Sequence, residues 1–315
     1  MNFTTKIPIS KSVHAIDYDS EVLSIGSCFA VNIAQKFDYF QFKHAVNPFG
    51  ILFHPMAIEK FIRMSVEGKQ ITESDVFCHN EGWHSFDAHS DISNPDKETV
   101  IKNLNNAISS TSQKIQSATH VIITLGTAWV YRNIESGNLV ANCHKVPQKS
   151  FSKELLSVES ISESLTNIIA MLTAANPEVK IIFTVSPVRH IKDGFVENQR
   201  SKANLISALH NVLDMQPANY FPSYEIMMDE LRDYRFYGED LLHPSQMAVD
   251  YIWQRFADSW IAESAVKVMD EVEAVRKNRA HRPFNPQSES HRAFLAATDA
   301  KAKALTERFP HMNFK

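Results

Sequence analysis

Two short segments of the sequence contain side chains whose types and spacing suit nucleophilic catalysis. In the first, VLSIGSCFAVNIAQKF (22–37), an apolar run ends in Gly-Ser-Cys and an amphipathic stretch follows at once. Ser27 and Cys28 therefore lie where a strand should become a helix. The backbone N–H groups of a helix's first turn stabilise a thiolate and can hold an oxyanion. Either side chain is a candidate nucleophile.

The second segment, EDLLHPSQMAVDYIWQRF (239–256), offers a base for that nucleophile. Asp240 precedes His243 by three residues, and Pro244 suits the start of the helix that follows. A carboxylate at this spacing can bond one ring nitrogen of the histidine, which leaves the other nitrogen free to act as general base. An Asp that starts a helix beside a surface His has the same pattern. The pairing with a strand-end nucleophile favours catalysis.

The elements that must position these residues are visible as alternating apolar patterns. Runs rich in Ile and Val, as in strands buried on both faces, alternate with amphipathic stretches, which predicts a mainly parallel sheet in a three-layer α/β/α domain. Strands are expected at 21–27, 120–127 and 180–188, at a less apolar run over 224–231, and near 44–47. Helices are expected at 30–40, 55–67, 97–117, 158–174, 201–213 and 245–261.

Two insertions and an extension interrupt this alternation. A hairpin is predicted over 76–90 with its turn at 80–82, and a second over 130–147 with its turn at 136–138. After Ile261 the pattern becomes helix, a proline-containing break near 282–286, and helix. We therefore predict a catalytic α/β domain over 1–262 and a helical C-terminal extension over 263–315, packed on that domain or on a partner.

Composition limits the remaining classes of function. The 315 residues are 44% hydrophobic and 22% charged with a formal net charge of −4, which gives no reason to expect a nucleic-acid partner. No stretch has the length and apolarity of a membrane span, and the first ten residues lack the apolar core of a signal peptide. The expected location is the cytoplasm.

The cysteines and histidines do not predict a metal site. Cys28, Cys78 and Cys143 are an odd, widely spaced set with no CxxC, which argues against a disulfide framework and a structural zinc site. The histidines at 79, 84 and 89 recur every five residues, a spacing that shares a face on neither a strand nor a helix. We expect no metal and no cofactor.

The two catalytic segments resemble a known superfamily. IGSCFA (25–30) resembles the first block of the SGNH (GDSL-type) hydrolases, and DLLHPSQMA (240–248) resembles their last, Asp-x-x-His-Pro block. The motif that names the GSCFA family, a branch of that superfamily, stands literally at 26–30. The resemblance covers roughly 21–261 and implies a flavodoxin-like, SGNH-type sheet.

The resemblance also implies roles for individual residues. Placing Gly-Ser-Cys on the superfamily's Gly-Asp-Ser makes Cys28 the nucleophile, His243 the general base and Asp240 its orienting group. Ser27 stays the alternative nucleophile if the elbow is shifted by one residue. The oxyanion hole would be formed by Cys28, Gly50, Gly126 and Thr127.

One block departs from the superfamily pattern. The third block, Gly-x-Asn-Asp, is replaced here by Gly126-Thr127-Ala128-Trp129. Ala128 cannot donate the hydrogen bond that the usual Asn supplies, and losing one such donor costs about 10²–10³-fold in rate.

A further set of residues follows the strands or belongs to the second hairpin, where a substrate would lie. The predicted substrate-lining residues are Asn47, Trp129, Asn142, His144, Arg189 and His190. Local packing is the alternative explanation for each of them.

The leading functional hypothesis is acyl transfer, by an esterase, a thioesterase or an acyltransferase that forms a covalent acyl-enzyme. The substrate would be a small-molecule or carbohydrate ester, and an acyl thioester is a possible donor. The missing Asn motivates an alternative, a weakly active or inactive module that binds an acylated or carbohydrate ligand. A third hypothesis is a metal-dependent phosphoesterase built on the histidine-rich hairpin, and both alternatives rank well below acyl transfer. The oligomeric state is left open.

Overall fold

The computed structural model describes residues 4–314. Residues 1–3, part of the N-terminal stretch considered for a signal peptide, and residue 315 of the predicted extension lie outside the described residues. The strands are β1 (Glu21–Gly26), β2 (Lys43–Val46), β3 (Phe77–His79), β4 (Gly82–His84), β5 (His120–Leu125), β6 (Trp129–Asn133), β7 (Leu139–Val140), β8 (Phe151–Leu155), β9 (Lys180–Val185) and β10 (Asn219–Tyr220).

Helices cover much of the remaining chain. They are α1 (Cys28–Tyr39), α2 (Pro55–Glu67), α3 (Lys97–Ser117), α4 (Val158–Ala175), α5 (Phe195–Leu213), α6 (Ser223–Glu225), α7 (Gln246–Trp260), α8 (Glu263–Ala280) and α9 (Glu289–Arg308). The bounds predicted for α2 and α3 agree with the structure. α5 starts six residues before its predicted start at 201.

A five-stranded sheet in the order β10-β9-β5-β1-β2 forms the centre of the protein, and every pair in it is parallel. Its three middle strands β1, β5 and β9 are almost wholly buried, as their unbroken apolar runs predict. Alternate strand residues face opposite sides, so Leu23 and Ile25 join one core cluster while Val22 joins the other.

The two core clusters define the outer layers of the fold. Apolar side chains of α2, α3, α4 and α5 cover one face of the sheet, and those of α1, α7, α8 and α9 cover the other. The protein is therefore a three-layer α/β/α structure with a mainly parallel sheet, which confirms the predicted fold class.

Both predicted hairpins are present. β3 and β4 pair antiparallel around Asn80 and Glu81, and β6 pairs with β7 and β8 in a small antiparallel sheet of order β7-β6-β8. The loop between β7 and β8 carries residues 141–150, and it brings them next to the carboxyl end of β5, from which β6 departs.

The strand predicted over 224–231 is wrong. This segment is α6 followed by a π-helical turn, Ile226–Glu230, and the sheet gains its fifth strand from β10 instead. The buried residues explain the error, because Ile226 and Met227 share a face with Glu230 and Leu231 at a spacing typical of a helix. The prediction rested on the number of apolar residues and not on their period, so a helical segment was taken for a strand.

The C-terminal helices pack on the side of α1 and α7. Val268, Val272 and Val275 of α8 are buried in that cluster together with Ala302 and Leu305 of α9. These three valines are thus covered within the chain, as expected if the extension packs on the α/β domain. Among residues 4–314, no helix is both long and apolar enough to cross a membrane.

Candidate active site

The elbow between β1 and α1 depends on a glycine. Gly26 has φ +149°, and a Cβ placed there would lie 2.2 Å from Thr124 O on β5. The next N–H, of Ser27, donates to the same oxygen (3.0 Å). β1 can therefore end against β5 and turn directly into α1 only because residue 26 has no side chain.

The two candidate nucleophiles differ sharply in exposure. Ser27 is 0% exposed, and its hydroxyl oxygen has no hydrogen-bond partner among the described residues. Cys28, the first residue of α1, is partly exposed. Burial raises the pKa of the Cys28 thiol, whereas the charge of Lys202 and hydrogen bonds from the Phe29 and Cys28 amides lower it. The thiol thus receives the amide bonds that the start of a helix offers.

Asp240 and His243 form the pair that their spacing predicted. His243 Nδ1 lies 2.6 Å from Asp240 Oδ2, and Asp240 Oδ1 accepts the N–H groups of Leu242 (2.9 Å) and His243 (3.0 Å). The bonds from His243 and Leu242 hold the pKa of the Asp240 carboxyl well below its usual range. The carboxylate is therefore charged and fixed, and it orients the imidazole with Nε2 pointing away from it.

The Asp240–His243 loop is held at the carboxyl edge of the central sheet. The N–H of Arg189, just beyond β9, donates to Leu242 O (3.2 Å). α7, which follows the loop, packs on α1 through an ion pair between Lys36 and Asp250 and a ring contact between Phe37 and Trp253 (5.1 Å). Tertiary packing thus brings both candidate segments to one edge of the sheet.

Cys28 and His243 share this edge, but among the described residues no hydrogen bond joins them. Burial, with added contributions from Lys202 and His243, lowers the pKa of His190 to about 3, and Lys202 also acts electrostatically on Cys28. In unliganded enzymes, catalytic hydrogen bonds are often long or poorly aligned.

The amides predicted for the oxyanion hole are mostly engaged. Gly50, with φ +73°, donates its N–H to Asn47 O (2.8 Å), which closes a turn. The N–H groups of Gly126 and Thr127 both donate to Phe53 O, at 2.8 and 3.0 Å. Of the four predicted donors, only the Cys28 amide is directed at the nucleophile's own sulfur.

Ala128 occupies the position where the expected third block has Asn, and its side chain is packed in the core. Ala128 is 0% exposed, and its N–H donates to Ser201 Oγ (2.7 Å). Asn47, across β1 from that position, accepts the Gly26 N–H on Oδ1 (2.8 Å). Its Nδ2 is buried and has no partner among the described residues. Asn47 therefore keeps an unused amide donor beside the elbow.

A cavity of about 470 Å³ lies between this edge and the β6–β8 sheet. Four of the predicted substrate-lining residues contribute to it, namely Trp129, Asn142, His144 and His190. Thr127 lines it as well. Cys28 and His243 do not line the cavity.

Two predicted lining residues lie outside this cavity, Asn47 and Arg189. The Arg189 guanidinium stacks 4.2 Å from the centre of the Tyr237 ring and 5.3 Å from that of Tyr234. Within the cavity, His144 Nε2 lies 2.7 Å from Ser85 O, and burial lowers the pKa of His144 to about 4. It is a neutral wall residue near pH 7.

The sequence reasoning missed Lys202. This side chain, on α5, is 2% exposed and donates hydrogen bonds to Gly126 O and Ser186 O, each at 2.7 Å. A usable signal was present, because Lys202 lies at helical spacing from Leu205 and Leu209 on the buried stripe of α5. A lysine on an apolar stripe is unusual unless its charge has a use.

The histidine-rich hairpin does not gather ligands. Within residues 4–314, no group of three or more His, Cys, Asp and Glu side chains could hold a metal ion. Both ring nitrogens of His84 have other partners, Ser93 Oγ at 2.7 Å and His79 O at 3.0 Å.

The fold and the placement of these segments define a three-layer α/β protein, with an elbow after the first strand of its sheet and an Asp-x-x-His loop before a late helix. The chain belongs to the GSCFA family, whose profile matches residues 21–256. A second profile, described as the C-terminal domain of GSCFA domain proteins, matches residues 272–315. The resemblance seen in the two motifs is thereby confirmed.

Two solved structures are similar to this chain. A carbohydrate esterase family 3 protein from Talaromyces cellulolyticus shares 15% identity with a TM-score of 0.29, over 50% of this chain and 65% of that one. An acetyl xylan esterase from the rumen bacterium Butyrivibrio proteoclasticus shares 9% identity with a TM-score of 0.39, over 81% of this chain and 64% of that one. The chain thus spans just under two thirds of either length. No curated protein gives a significant match.

Proposed function

We propose that this protein is an acyl-transfer enzyme acting on ester bonds, with Cys28 as nucleophile, His243 as general base and Asp240 as the group that orients His243. The observation that carries the proposal is the Asp240–His243 pair, joined at 2.6 Å and placed at the same sheet edge as the partly exposed Cys28. The pair has the geometry that fixes one tautomer of a general base.

The reaction proceeds through a thioester on the enzyme. His243 Nε2 takes the thiol proton, the sulfur attacks the ester carbonyl, and the tetrahedral intermediate collapses as the proton passes to the leaving alkoxide. Water or an acceptor hydroxyl then attacks the acyl-enzyme, and its proton returns through the same imidazole to the sulfur. The Cys28 amide, at the start of α1, stabilises the oxyanion.

Cys28 is favoured over Ser27 on burial. A fully buried hydroxyl with no partner cannot reach a carbonyl carbon without moving the elbow, whereas the Cys28 sulfur is partly exposed. The adjoining cavity suits a small acyl group or a sugar ring, because Trp129 and Asn142 give it one aromatic and one polar wall.

A second candidate, a non-catalytic binding module, has an observation of its own. The Gly50, Gly126 and Thr127 amides are all engaged, and Ala128 replaces the Asn donor. Such a protein would hold an acylated or carbohydrate ligand in the cavity without forming a covalent intermediate.

Covalent capture distinguishes the two candidates. The protein is incubated with p-nitrophenyl acetate and, separately, with acetyl-CoA, and peptide mapping by mass spectrometry locates any acetyl group. We expect acetylation of Cys28 that is lost in Cys28→Ala and strongly reduced in His243→Ala. The exposed Cys78 serves as an internal reference for non-specific reaction.

Each other outcome has a defined meaning. An adduct on Ser27 would keep the reaction class and replace the nucleophile. Folded protein in which Cys28 reacts no faster than Cys78 would overturn the proposal and favour the binding module. Faster acetylation of Cys28 by p-nitrophenyl acetate would indicate an esterase. Faster acetylation by acetyl-CoA would indicate a transferase that uses thioesters.

A further inference from the structure

Lys202 is a buried cation that the proposed mechanism does not use. Among the buried residues described in the structure it is the one Lys or Arg, and its ammonium has no carboxylate partner among the described ion pairs. An ammonium removed from water without a counter-ion costs several kcal/mol. A lysine in that state needs an explanation beyond packing.

The ammonium is tied to the backbone at the catalytic edge. Gly126 follows β5 and Ser186 follows β9, so Lys202 bridges the carboxyl ends of two neighbouring strands. These two carbonyls accept two of its three hydrogens. The third hydrogen, present while the amine is protonated, has no oxygen acceptor among the described hydrogen bonds, and the nitrogen lies 5.7 Å from the centre of the Tyr224 ring.

The same bridge places the charge beside the elbow. Gly126 packs against Ser27 so closely that a Cβ on Gly126 would lie 3.1 Å from Ser27 Cβ. Cys28 is the next residue. His190, whose titration is also affected by Lys202, is kept neutral by its burial and adds no positive charge here.

We propose that Lys202 is a positioning residue for the nucleophile: its buried charge, held by the Gly126 and Ser186 carbonyls, favours the thiolate of Cys28 and the negative charge that develops as that thiolate attacks. The inference deepens the proposed function and rests on it. It also bears on Ala128, because the protonated Lys202 supplies positive charge beside Gly126, in the block where the superfamily uses an Asn side chain.

The coupling between the two groups is mutual. Burial lowers the pKa of Lys202 to about 7, and the sulfur of Cys28 opposes that shift. Lys202 likewise opposes the rise that burial causes in the pKa of the Cys28 thiol. Loss of a proton from sulfur therefore favours retention of a proton on nitrogen, as in other interacting pairs.

The test measures the reactivity of the thiol and needs no ester substrate. Alkylation of Cys28 by iodoacetamide is followed from pH 6 to 10 in the wild type, Lys202→Met and Lys202→Arg, with circular dichroism to verify folding. A neighbouring opposite charge shifts a pKa by about one unit or more. We therefore expect Cys28 in Lys202→Met to react about tenfold more slowly near pH 6, and the difference to shrink as the pH rises through 7, where Lys202 loses its own charge. Lys202→Arg should recover part of the loss.

Cys78, which is exposed and lies on the first hairpin, gives the control within the same protein, and its rate should not change. An unchanged Cys28 profile in folded Lys202→Met would overturn the inference. If Cys28 responds as expected but no ester is turned over, the inference stands and the proposed function fails.

A second measurement decides the matter if Lys202→Met does not fold. The Lys202 ammonium is titrated by NMR of isotope-labelled lysine in Cys28→Asp and in the uncharged control Cys28→Asn. We expect the pKa of Lys202 to be higher in Cys28→Asp, because its carboxylate supplies at position 28 the negative charge that the thiolate would carry. An identical titration in both variants would refute the coupling.

Discussion

Replacing Asp240 by Asn perturbs the candidate triad at one defined atom. Asp240 Oδ1 accepts two backbone N–H groups, from Leu242 and His243, at 2.9 and 3.0 Å. These two bonds require an oxygen at that position, so in Asp240→Asn the side-chain NH₂ must occupy the place of Oδ2. There it lies 2.6 Å from His243 Nδ1 in the present geometry, as a donor instead of an acceptor.

The donor forces the wrong tautomer on His243. Nδ1 must then present its lone pair, the ring proton moves to Nε2, and Nε2, the proposed general base, can no longer accept the thiol proton. In a buried triad the same change costs about 10⁴-fold in rate. His243 is 51% exposed, so water can compete for Nδ1 and restore part of the active tautomer. We expect a loss of ~10²-fold in the rate of Cys28 acetylation, because partial exposure weakens the constraint.

The assay is the pre-steady-state release of p-nitrophenol, with peptide mapping to assign it to Cys28. Asp233→Asn is the matched control, because Asp233 also accepts a backbone N–H two residues ahead, that of Arg235 (2.9 Å), and does not contact His243. The control should retain the wild-type rate. Wild-type acetylation in folded Asp240→Asn would refute the assignment of Asp240 as the orienting group.

Three further predictions concern burial around the site. Ser27→Ala removes a buried hydroxyl that has no partner among the described residues, so stability should change by less than about 0.5 kcal/mol in urea denaturation and acetylation should persist; loss of acetylation would point to Ser27 as nucleophile. A Cβ at Gly126 would lie 2.9 Å from Phe53 O, so Gly126→Ala should lower the free energy of unfolding by about 1–3 kcal/mol. Gly238→Ala, where the nearest contact would be 3.6 Å, should not, and equal effects would contradict the steric reasoning. Burial lowers the pKa of His54 to about 4, so the unfolded state binds a proton more readily and stability should fall as the pH drops below 6.5 towards 4. This contribution is about 2 kcal/mol between pH 7 and pH 5, and His54→Gln should remove it; an unchanged pH dependence of the urea midpoint would contradict it.

Features encoded locally could be predicted well. α2 and α3 have the predicted bounds because each is a regular amphipathic stretch with its own start signal, a Pro after the N-cap in α2 and an Asp N-cap in α3. The Asp240–His243 pair also forms within four residues. Its geometry follows from chain connectivity, so spacing was enough to predict it.

Features that depend on distant segments could not be predicted in this way. Whether the Gly126 N–H is free depends on Phe53, and whether Ser27 is exposed depends on how Gly126 packs against it. The strand predicted over 224–231 failed for a related reason, since β10 takes the place beside β9 that this segment would have occupied.

The sequence by itself determined most of the order of strands and helices, though not β10 or the helical segment over 224–231. It also determined the elbow at Gly26 and the Asp240–His243 pair, because periodicity, glycine and short spacing act within a few residues. Only the tertiary structure decided which of two adjacent side chains is accessible, which amides remain available, and that Lys202 of α5 lies beside Gly126. These properties arise where segments far apart in the chain meet at one edge of the sheet. There the burial of each group is set by neighbours that its own segment does not encode.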